Sequence, residues 1–287
     1  RVLFRSGSFW WNNPHLRLVE KTGVTQKLSY AYPEVREFAL SIILEAVEYG
    51  VDGVNLDFLR HPPFFGYENI LLTDFISKYR INPKGNMSDE EKELWWRYRT
   101  QFMTSFVREL RSKLDEIQIR TGREIQISAR VDHQNYLEHG LDVETWIKEG
   151  LVDILIPSRH GHDSAYVFSI EKFVKMAEGT KTSIYGGIVH TLSGRDLSPE
   201  EDAVLAKGGT LNRTGSYVGT RMDSRMYKER AVEFYRQGVD GIHIFNNWAG
   251  TGVLDEEPPL SDRVALEKWY EFIRPISNIP STIEFRD

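Results

Sequence analysis

The apolar and polar positions of residues 51–62 alternate, and this stretch carries the clearest structural signal in the chain. It reads Val-Asp-Gly-Val-Asn-Leu-Asp-Phe-Leu-Arg-His-Pro. Alternation is typical of a β-strand, because successive side chains of a strand point to opposite faces. It places Leu56 and Phe58 on one face and Asn55 and Asp57 on the other. We therefore predict a buried strand that presents Asp57 near its C-terminal end.

A related phrase recurs along the chain. In each copy an amphipathic helical segment ends at a glycine, a short turn follows, and a buried strand begins. The three copies occupy residues 50–56, 150–156 and 238–244. Helices that alternate with buried strands are typical of an α/β fold with a mostly parallel sheet.

The spacing of apolar residues predicts the elements between these strands. Pro33 begins a helix whose apolar face comprises Val35, Phe38, Ala39, Ile42, Ile43 and Ala46. Ser88 and Glu91 form a capping-box signature at the start of a long helix. Further helices are predicted at residues 70–80, 88–120, 142–149 and 221–237. Further strands are predicted at residues 124–131, 153–157, 183–189 and 241–245. We expect residues 215–221 to form a loop over the active face.

Polar or aromatic side chains follow each of the five predicted strands. In a parallel sheet these strand ends meet at one edge, where barrels and open α/β sheets bind their ligands. The fold we predict is a parallel (β/α)8 TIM barrel that is incomplete, because five βα units are too few to close eight strands. The candidate site residues at the strand ends are Asp57, Arg60, His61, Arg130, Asp132, His133, Arg159, His160, His190, Asn246, Asn247 and Trp248.

The composition excludes several classes of protein. The net charge of −6 argues against binding to a nucleic-acid backbone, which requires clustered Lys and Arg. No apolar run approaches the roughly 20 residues of a membrane helix. The absence of cysteine excludes disulfides and thiolate chemistry, but leaves the cellular compartment open.

Residues 1–6 read Arg-Val-Leu-Phe-Arg-Ser, which matches a translated sequencing adaptor. We expect this segment to be non-native and exclude it from the prediction of the fold. Residues 7–287 are expected to form one barrel domain.

Four stretches of the chain resemble glycosyl hydrolase-like family 10. These are Pro33-Glu34-Val35-Arg36, residues 51–57, the later strand at residues 152–157 and the closing strand at residues 238–245. The similarity extends from about Asn13 to Phe245. The resemblance implies a TIM barrel whose first three strands are missing from this chain. The Asp-Gly-φ-x-φ-Asp element also resembles the nucleophile strand of the α-amylase clan, which implies a nucleophilic role for Asp57. Those enzymes carry a glutamate as the acid on the next strand, where this chain has Asp132 beside Arg130.

Glycoside hydrolysis requires two carboxyl groups, about 5–5.5 Å apart for a retaining route and about 6.5–9.5 Å apart for an inverting one. We predict Asp57 as nucleophile or base, held ionised by Arg60 or Arg130, and Asp132 as general acid, with Asp163 in reserve. For both aspartates the alternative is ordering of a turn or capping of a helix. The histidines, arginines, asparagines and Trp248 at the strand ends are predicted to contact the carbohydrate substrate.

Tryptophan side chains are further candidates for the sugar cleft, because aromatic faces suit the apolar faces of sugar rings. Trp10 and Trp11 form one pair, and Trp95 and Trp96 form another on a predicted helix. Helical spacing predicts that one member of the second pair lies in the core.

Two other functions stay open. A metal-dependent hydrolase would use Asp57, His160, His162 and His190 as ligands, although an H-x-H loop is a weak signal. A catalytically silent carbohydrate-binding barrel would keep its sugar binding in Asp57→Asn. The principal hypothesis requires neither a metal nor a cofactor.

Overall fold

The computed structural model describes residues 7–59, 62–159, 168–189, 191–196, 200, 203, 204, 207–209, 217–221, 224–245 and 274. The strands are β1 (Arg17–Glu20), β2 (Gly23–Leu28), β3 (Gly53–Asp57), β4 (Gln126–Asp132), β5 (Ile154–Ser158), β6 (Ser183–Val189), β7 (Thr191–Asp196), β8 (Tyr217–Arg221) and β9 (Gly241–Phe245). The helices are α1 (Gly7–Asn12), α2 (Pro33–Glu48), α3 (Asn69–Tyr79), α4 (Asp89–Thr121), α5 (Val143–Lys148), α6 (Glu171–Ala177) and α7 (Ser224–Arg236), with a 3-10 turn at Pro14–Leu16.

Five parallel strands form one sheet in the order β3-β4-β5-β6-β9. β3 pairs with β4 from Gly53↔Gln126 to Asp57↔Arg130, and β6 pairs with β9 from Tyr185↔Gly241 to Val189↔Phe245. Helices separate these strands along the chain. This architecture confirms the predicted incomplete parallel (β/α) barrel.

The chain divides into two compact units. The first comprises residues 1–155 and 179–182, and the second comprises residues 156–178 and 183–287. The single domain over residues 7–287 stays a prediction. Residues 1–6, predicted to be non-native, lie outside the described residues.

The core of the first unit lies on the apolar face of β3 and β4. Leu56, Ile127, Ala129 and Val131 alternate along the two strands and are all buried. The long helix α4 contributes buried apolar side chains to this unit, among them Phe106, Val107, Leu110 and Leu114. Burial of each such side chain contributes about 1.5–3 kcal/mol to folding. The predicted capping box is present at the start of this helix. The Ser88 side chain accepts from the Glu91 N–H at 3.2 Å, and the Glu91 side chain accepts from the Ser88 N–H at 2.8 Å.

The predicted apolar face of α2 is wrong in part. The fully buried residues of this helix are Val35, Leu40 and Val47, whereas Ala46 is exposed. Phe38 is half-buried and stacks on Phe9, with ring centroids 4.1 Å apart. Apolar residues occur on several sides of this helix, so their spacing alone does not fix the face that turns inward.

The recurring phrase ends its helices at glycines in the left-handed conformation. Gly50, Gly150 and Gly238 have φ values of 89°, 64° and 90°. Residues with a Cβ atom rarely adopt this conformation, and glycine adopts it freely. The glycine stop predicted from the sequence is therefore confirmed in all three copies.

The aspartate of the recurring phrase forms two hydrogen bonds with the backbone of one residue in a neighbouring strand, and we call this pair of bonds the clamp. The Asp153 N–H donates to the Ile127 carbonyl at 2.8 Å, and Asp153 Oδ2 accepts from the Ile127 N–H at 2.7 Å. In the second unit Asp240 holds Ile184 in the same way, with both hydrogen bonds at 2.8 Å. Each aspartate thus satisfies both backbone groups of a residue near the start of a strand.

Loss of this clamp is expected to destabilise the protein. Asp153→Ala should lower the free energy of unfolding by about 1–3 kcal/mol, because a buried N–H loses its acceptor. Asp52 holds the same place before β3, but none of the described strands pairs with the other edge of β3, and Asp52 is exposed. Asp52→Ala should therefore change stability by less than about 0.5 kcal/mol. Urea unfolding of both variants tests this, and equal losses would contradict it.

Candidate functional site

A polar ladder crosses from β3 to β4 on the face opposite the apolar core. Paired residues of neighbouring strands point to the same side, so the register puts Asn55 beside Ser128 and Asp57 beside Arg130. Ser128 Oγ donates to Asn55 Oδ1 at 3.0 Å. Arg130 Nη1 donates to both Asp57 oxygens, at 3.1 and 3.2 Å. This ladder ends at the carboxyl edge of the two strands, where the sequence placed the candidate site.

Asp57 is the last residue of β3, and its side chain remains partly open to solvent. Its exposed fraction is 26%, whereas that of its partner Arg130 is 2%. Asp57 Oδ1 also accepts from the Leu59 N–H at 3.3 Å. The Phe58 N–H donates to the Arg130 carbonyl at 3.0 Å, which ties the exit of β3 to β4. The Asp57 carboxylate is therefore partly open to solvent, while its counter-charge is buried inside the protein.

Asp132 lies two residues beyond Arg130 and is buried. Its Oδ1 accepts from the N–H groups of Gln134 and Asn135, both at 2.8 Å. This geometry orders the turn after β4, as in the structural alternative that the sequence left open. His133 is also buried, with Nδ1 at 4.0 Å from Asp132 Oδ1. The role of Asp132 as an acid stays a prediction.

Four of the predicted site residues lie at the ends of the paired strands β3 and β4, namely Asp57, Arg130, Asp132 and His133. Among them Arg130 contacts Asp57, and His133 lies 4.0 Å from Asp132. Arg159 follows β5 in the second unit and is half-buried. Seven other predicted contacts and the reserve acid Asp163 lie outside the described residues; the contacts are Arg60, His61, His160, His190, Asn246, Asn247 and Trp248.

Sequence reasoning assigned no role to Asn55 and Ser128, although both belong to the polar ladder. The alternation had already placed Asn55 on the face of Asp57. Ser128 shares this face because it lies two residues before Arg130. The alternation of side chains along β4 could therefore have identified Ser128 as a residue of the polar ladder.

The loop at residues 62–68, which we call the β3 exit loop, is fixed by the β1–β2 hairpin. Lys27 Nζ donates to the Pro62 carbonyl at 2.9 Å, and the Tyr67 N–H donates to the Val19 carbonyl at 2.6 Å. Gly66 lies so close to the Val19 carbonyl that a Cβ atom at this position would collide with it. The loop that leaves the Asp57 strand is therefore held in one conformation.

No three His, Asp or Glu side chains of the described residues lie close enough together to hold a metal ion. Three of the ligands considered above, His160, His162 and His190, fall outside that part of the chain. Within the described part of the chain, no helix combines the length and the hydrophobicity of a membrane span.

Removal of the buried charge opposite Asp57 is expected to destabilise the first unit. Arg130→Met should lower the free energy of unfolding by about 2–3 kcal/mol, because Asp57 loses its partner while its own charge stays only partly solvated. The double variant Asp57→Asn/Arg130→Met should recover part of this loss. Urea unfolding of the single and double variants gives the coupling energy of the pair. If the losses of the two single variants simply added in the double variant, Asp57 and Arg130 would not stabilise each other.

Barrel enzymes carry their active sites at the carboxyl ends of the strands, and the Asp57–Arg130 pair of this chain lies at such an end. The family model of the glycosyl hydrolase-like 10 proteins matches residues 13–195, which is more than half of the chain. The chain belongs to the glycosyl hydrolase-like 10 family. No curated protein gives a significant match to the sequence.

Several solved structures are similar to this chain at low sequence identity. Chitinase ChiW from Paenibacillus sp. str. FPU-7 has 11% identity and a TM-score of 0.48, with 89% of this chain and 31% of ChiW covered. A glycoside hydrolase family 18 N-acetylglucosaminidase from Paenibacillus barengoltzii has 15% identity and a TM-score of 0.44, with 85% and 77% covered. Chitinase ChiA74 from Bacillus thuringiensis has 12% identity and a TM-score of 0.49, with 90% and 49% covered. The chain thus spans less than half the length of both chitinases, and its family assignment rests on the sequence match.

Proposed function

We propose that this protein is a glycoside hydrolase that cleaves a polysaccharide or oligosaccharide by two-carboxylate catalysis. The observation that carries this proposal is the pair of Asp57 and Arg130. A partly exposed carboxylate faces a buried guanidinium at the carboxyl end of a barrel strand, which is the position of catalytic residues in this fold. Membership in a glycosyl hydrolase-like family supports the same reaction class.

In the proposed reaction Asp57 acts on the anomeric carbon. On a retaining route its carboxylate attacks this carbon, the glycosidic bond breaks, and water later releases the glycosyl-enzyme ester. On an inverting route Asp57 instead takes a proton from the attacking water. Arg130 holds the carboxylate in place through Nη1, which contacts both oxygens.

We assign the general acid to Asp132, which protonates the glycosidic oxygen as the bond breaks. Because Oδ1 accepts two backbone N–H groups, Oδ2 is the oxygen available to carry the proton. We also assign Asn55 and Ser128 of the polar ladder as contacts for sugar hydroxyls. The contacts assigned from the sequence remain part of the proposal, namely Arg60, His61, Arg130, His133, Arg159, His160, His190, Asn246, Asn247 and Trp248.

A reducing-end assay over a panel of glycans tests the proposal. The panel contains xylan, glycol chitin, hydroxyethyl cellulose, soluble starch and isolated peptidoglycan, each incubated with wild type and Asp57→Asn. We expect the wild type to release reducing ends from at least one glycan and Asp57→Asn to release almost none. Equal release by the two proteins would refute the role of Asp57. Binding without release by the wild type would support the catalytically silent barrel instead.

A further inference from the structure

Trp11 exposes a large aromatic surface on the short helix α1. Its exposed fraction is 70%, although tryptophan is usually among the more buried residues. Trp10 packs against it edge-on, with ring centroids 4.6 Å apart and an interplanar angle of 84°. The Arg17 guanidinium lies over the Trp10 ring, 4.0 Å from its centroid. We call Trp10, Trp11 and Arg17 the tryptophan platform.

The platform is held in a defined orientation. Trp10 Nε1 donates to the Gln26 carbonyl at 2.9 Å, which fixes the indole on the β1–β2 hairpin. Phe9 stacks on Phe38 of α2, and Asn13 Nδ2 donates to the Phe9 carbonyl at 2.8 Å. A fixed aromatic face loses little conformational entropy when a ligand stacks on it.

Hydrogen bonds connect the platform with the exit of the Asp57 strand. Gln26, which accepts from Trp10, is followed by Lys27, and Lys27 Nζ donates to the Pro62 carbonyl. Pro62 begins the β3 exit loop, five residues after Asp57. The platform is therefore bonded to the hairpin that holds this loop, within the same compact unit as Asp57.

The chemistry of the platform suits a sugar ring. The apolar C–H face of a pyranose stacks on an indole, while the hydroxyls around its rim accept hydrogen bonds. The Arg17 guanidinium, which lies over the Trp10 ring, supplies hydrogen-bond donors beside the indole faces. Nucleobases also stack on tryptophan, but the net charge of −6 opposes binding of a phosphate backbone.

We propose that the tryptophan platform binds a pyranose ring of the glycan at a distance from the bond that is cleaved. This inference rests on the proposed function, because it names a further contact for the same class of substrate. It predicts that long glycans gain affinity from Trp11, whereas short ones that end near Asp57 do not.

Affinity electrophoresis in gels that contain the soluble glycans tests the proposal, with pull-down on the insoluble ones. Trp11→Ala is expected to weaken retention about 5- to 10-fold on the glycans that retain the wild type, and Trp11→Phe to keep most of it. The matched control is Tyr49→Ala, since Tyr49 is an aromatic side chain of the same unit with 81% exposure. This control should be retained like the wild type. Circular dichroism and thermal unfolding establish that the variants are folded.

Three results would overturn the proposal. These are equal retention of Trp11→Ala and wild type, equal losses in Trp11→Ala and Tyr49→Ala, and no retention of the wild type by any glycan. Where turnover is measured, Trp11→Ala should raise KM for long glycans and leave kcat unchanged, because uniform binding is lost. Asp57→Asn separates the two proposals: normal turnover by that variant would refute the catalytic role of Asp57, whereas the effect of Trp11 on retention would stand.

Discussion

Asp57→Asn is expected to lower turnover of the glycan substrate by about 10²–10⁴-fold, the range observed when one acid–base group is lost. Asparagine keeps the size of the side chain and can still accept from Arg130 Nη1, so the exit of β3 should stay folded. It can neither attack the anomeric carbon nor take a proton from water. Initial rates of reducing-end release, with urea unfolding of the same preparation, measure the two effects separately.

Asp52→Asn is the matched control for this prediction. Asp52 is an exposed aspartate five residues earlier in the same stretch, and it lies before β3 rather than at its carboxyl end. Its replacement should leave turnover unchanged. If the two variants lost the same activity, Asp57 would have no specific role in the reaction.

Asp132→Asn distinguishes the two roles open to Asp132. A general acid assists departure of a poor leaving group, so its loss should slow cleavage of natural glycans and spare aryl glycosides with good leaving groups. A residue that only orders the turn after β4 should change both substrates equally, together with the stability of the protein. Asparagine keeps an amide oxygen that can accept from the Gln134 and Asn135 N–H groups, so the loss of stability should be small and the contrast between the two substrates decides between the roles.

The parts of the fold that local patterns determine were predictable from the sequence. Alternation placed Asp57 at the end of β3, and Gly53–Asp57 is the strand observed. The two antiparallel hairpins escaped prediction. β1 and β2 are mostly half-exposed and carry few apolar residues, so their alternation is weak. Residues 217–221 were expected in a loop, and this was wrong, because they form β8 by pairing with β7.

Contacts between distant positions could not be predicted in the same way. The recurring phrase was recognised as helix, glycine and strand, but the role of its aspartate was missed. The partners of Asp153 and Asp240 lie 26 and 56 residues away in the chain, at distances that no local pattern specifies. Arg130 was one of two predicted partners of Asp57, with Arg60 as the other. The register that brings Asp57 and Arg130 together is a property of the folded sheet.

Glu68→Ala is expected to destabilise the protein more than any other variant considered, by about 3–5 kcal/mol in the free energy of unfolding. Glu68 is fully buried, and its carboxylate accepts from the Gly66 N–H at 3.0 Å and from the Val19 N–H at 3.2 Å. Both donors would lose their acceptor at once. The buried Arg99 would also lose a negative charge that stabilises its cation.

Arg99 makes this loss costly because its charge is already poorly solvated. Burial lowers the pKa of Arg99 to about 10, and the charge of Glu68 acts in the opposite direction. Arg99 in turn donates to the carbonyls of Phe65 and Glu138, at 3.2 and 2.7 Å. Glu68 therefore ties the β3 exit loop to itself and to β1, and Arg99 binds the same loop at the Phe65 carbonyl.

Glu138→Ala provides the control, since the substitution keeps the backbone carbonyl that accepts from Arg99. The charge of Glu138 also raises the pKa of Arg99, but this side chain is exposed and solvent screens its charge. The effect of Glu138→Ala should be below about 0.5 kcal/mol. Urea unfolding gives both free energies, and proteolysis of the folded variants at the β3 exit loop reports whether that loop has opened. If Glu68→Ala unfolded at the urea concentration of the wild type, the loop beside Asp57 would be fixed by the hairpin contacts alone, and the buried carboxylate would be dispensable for the geometry of the site.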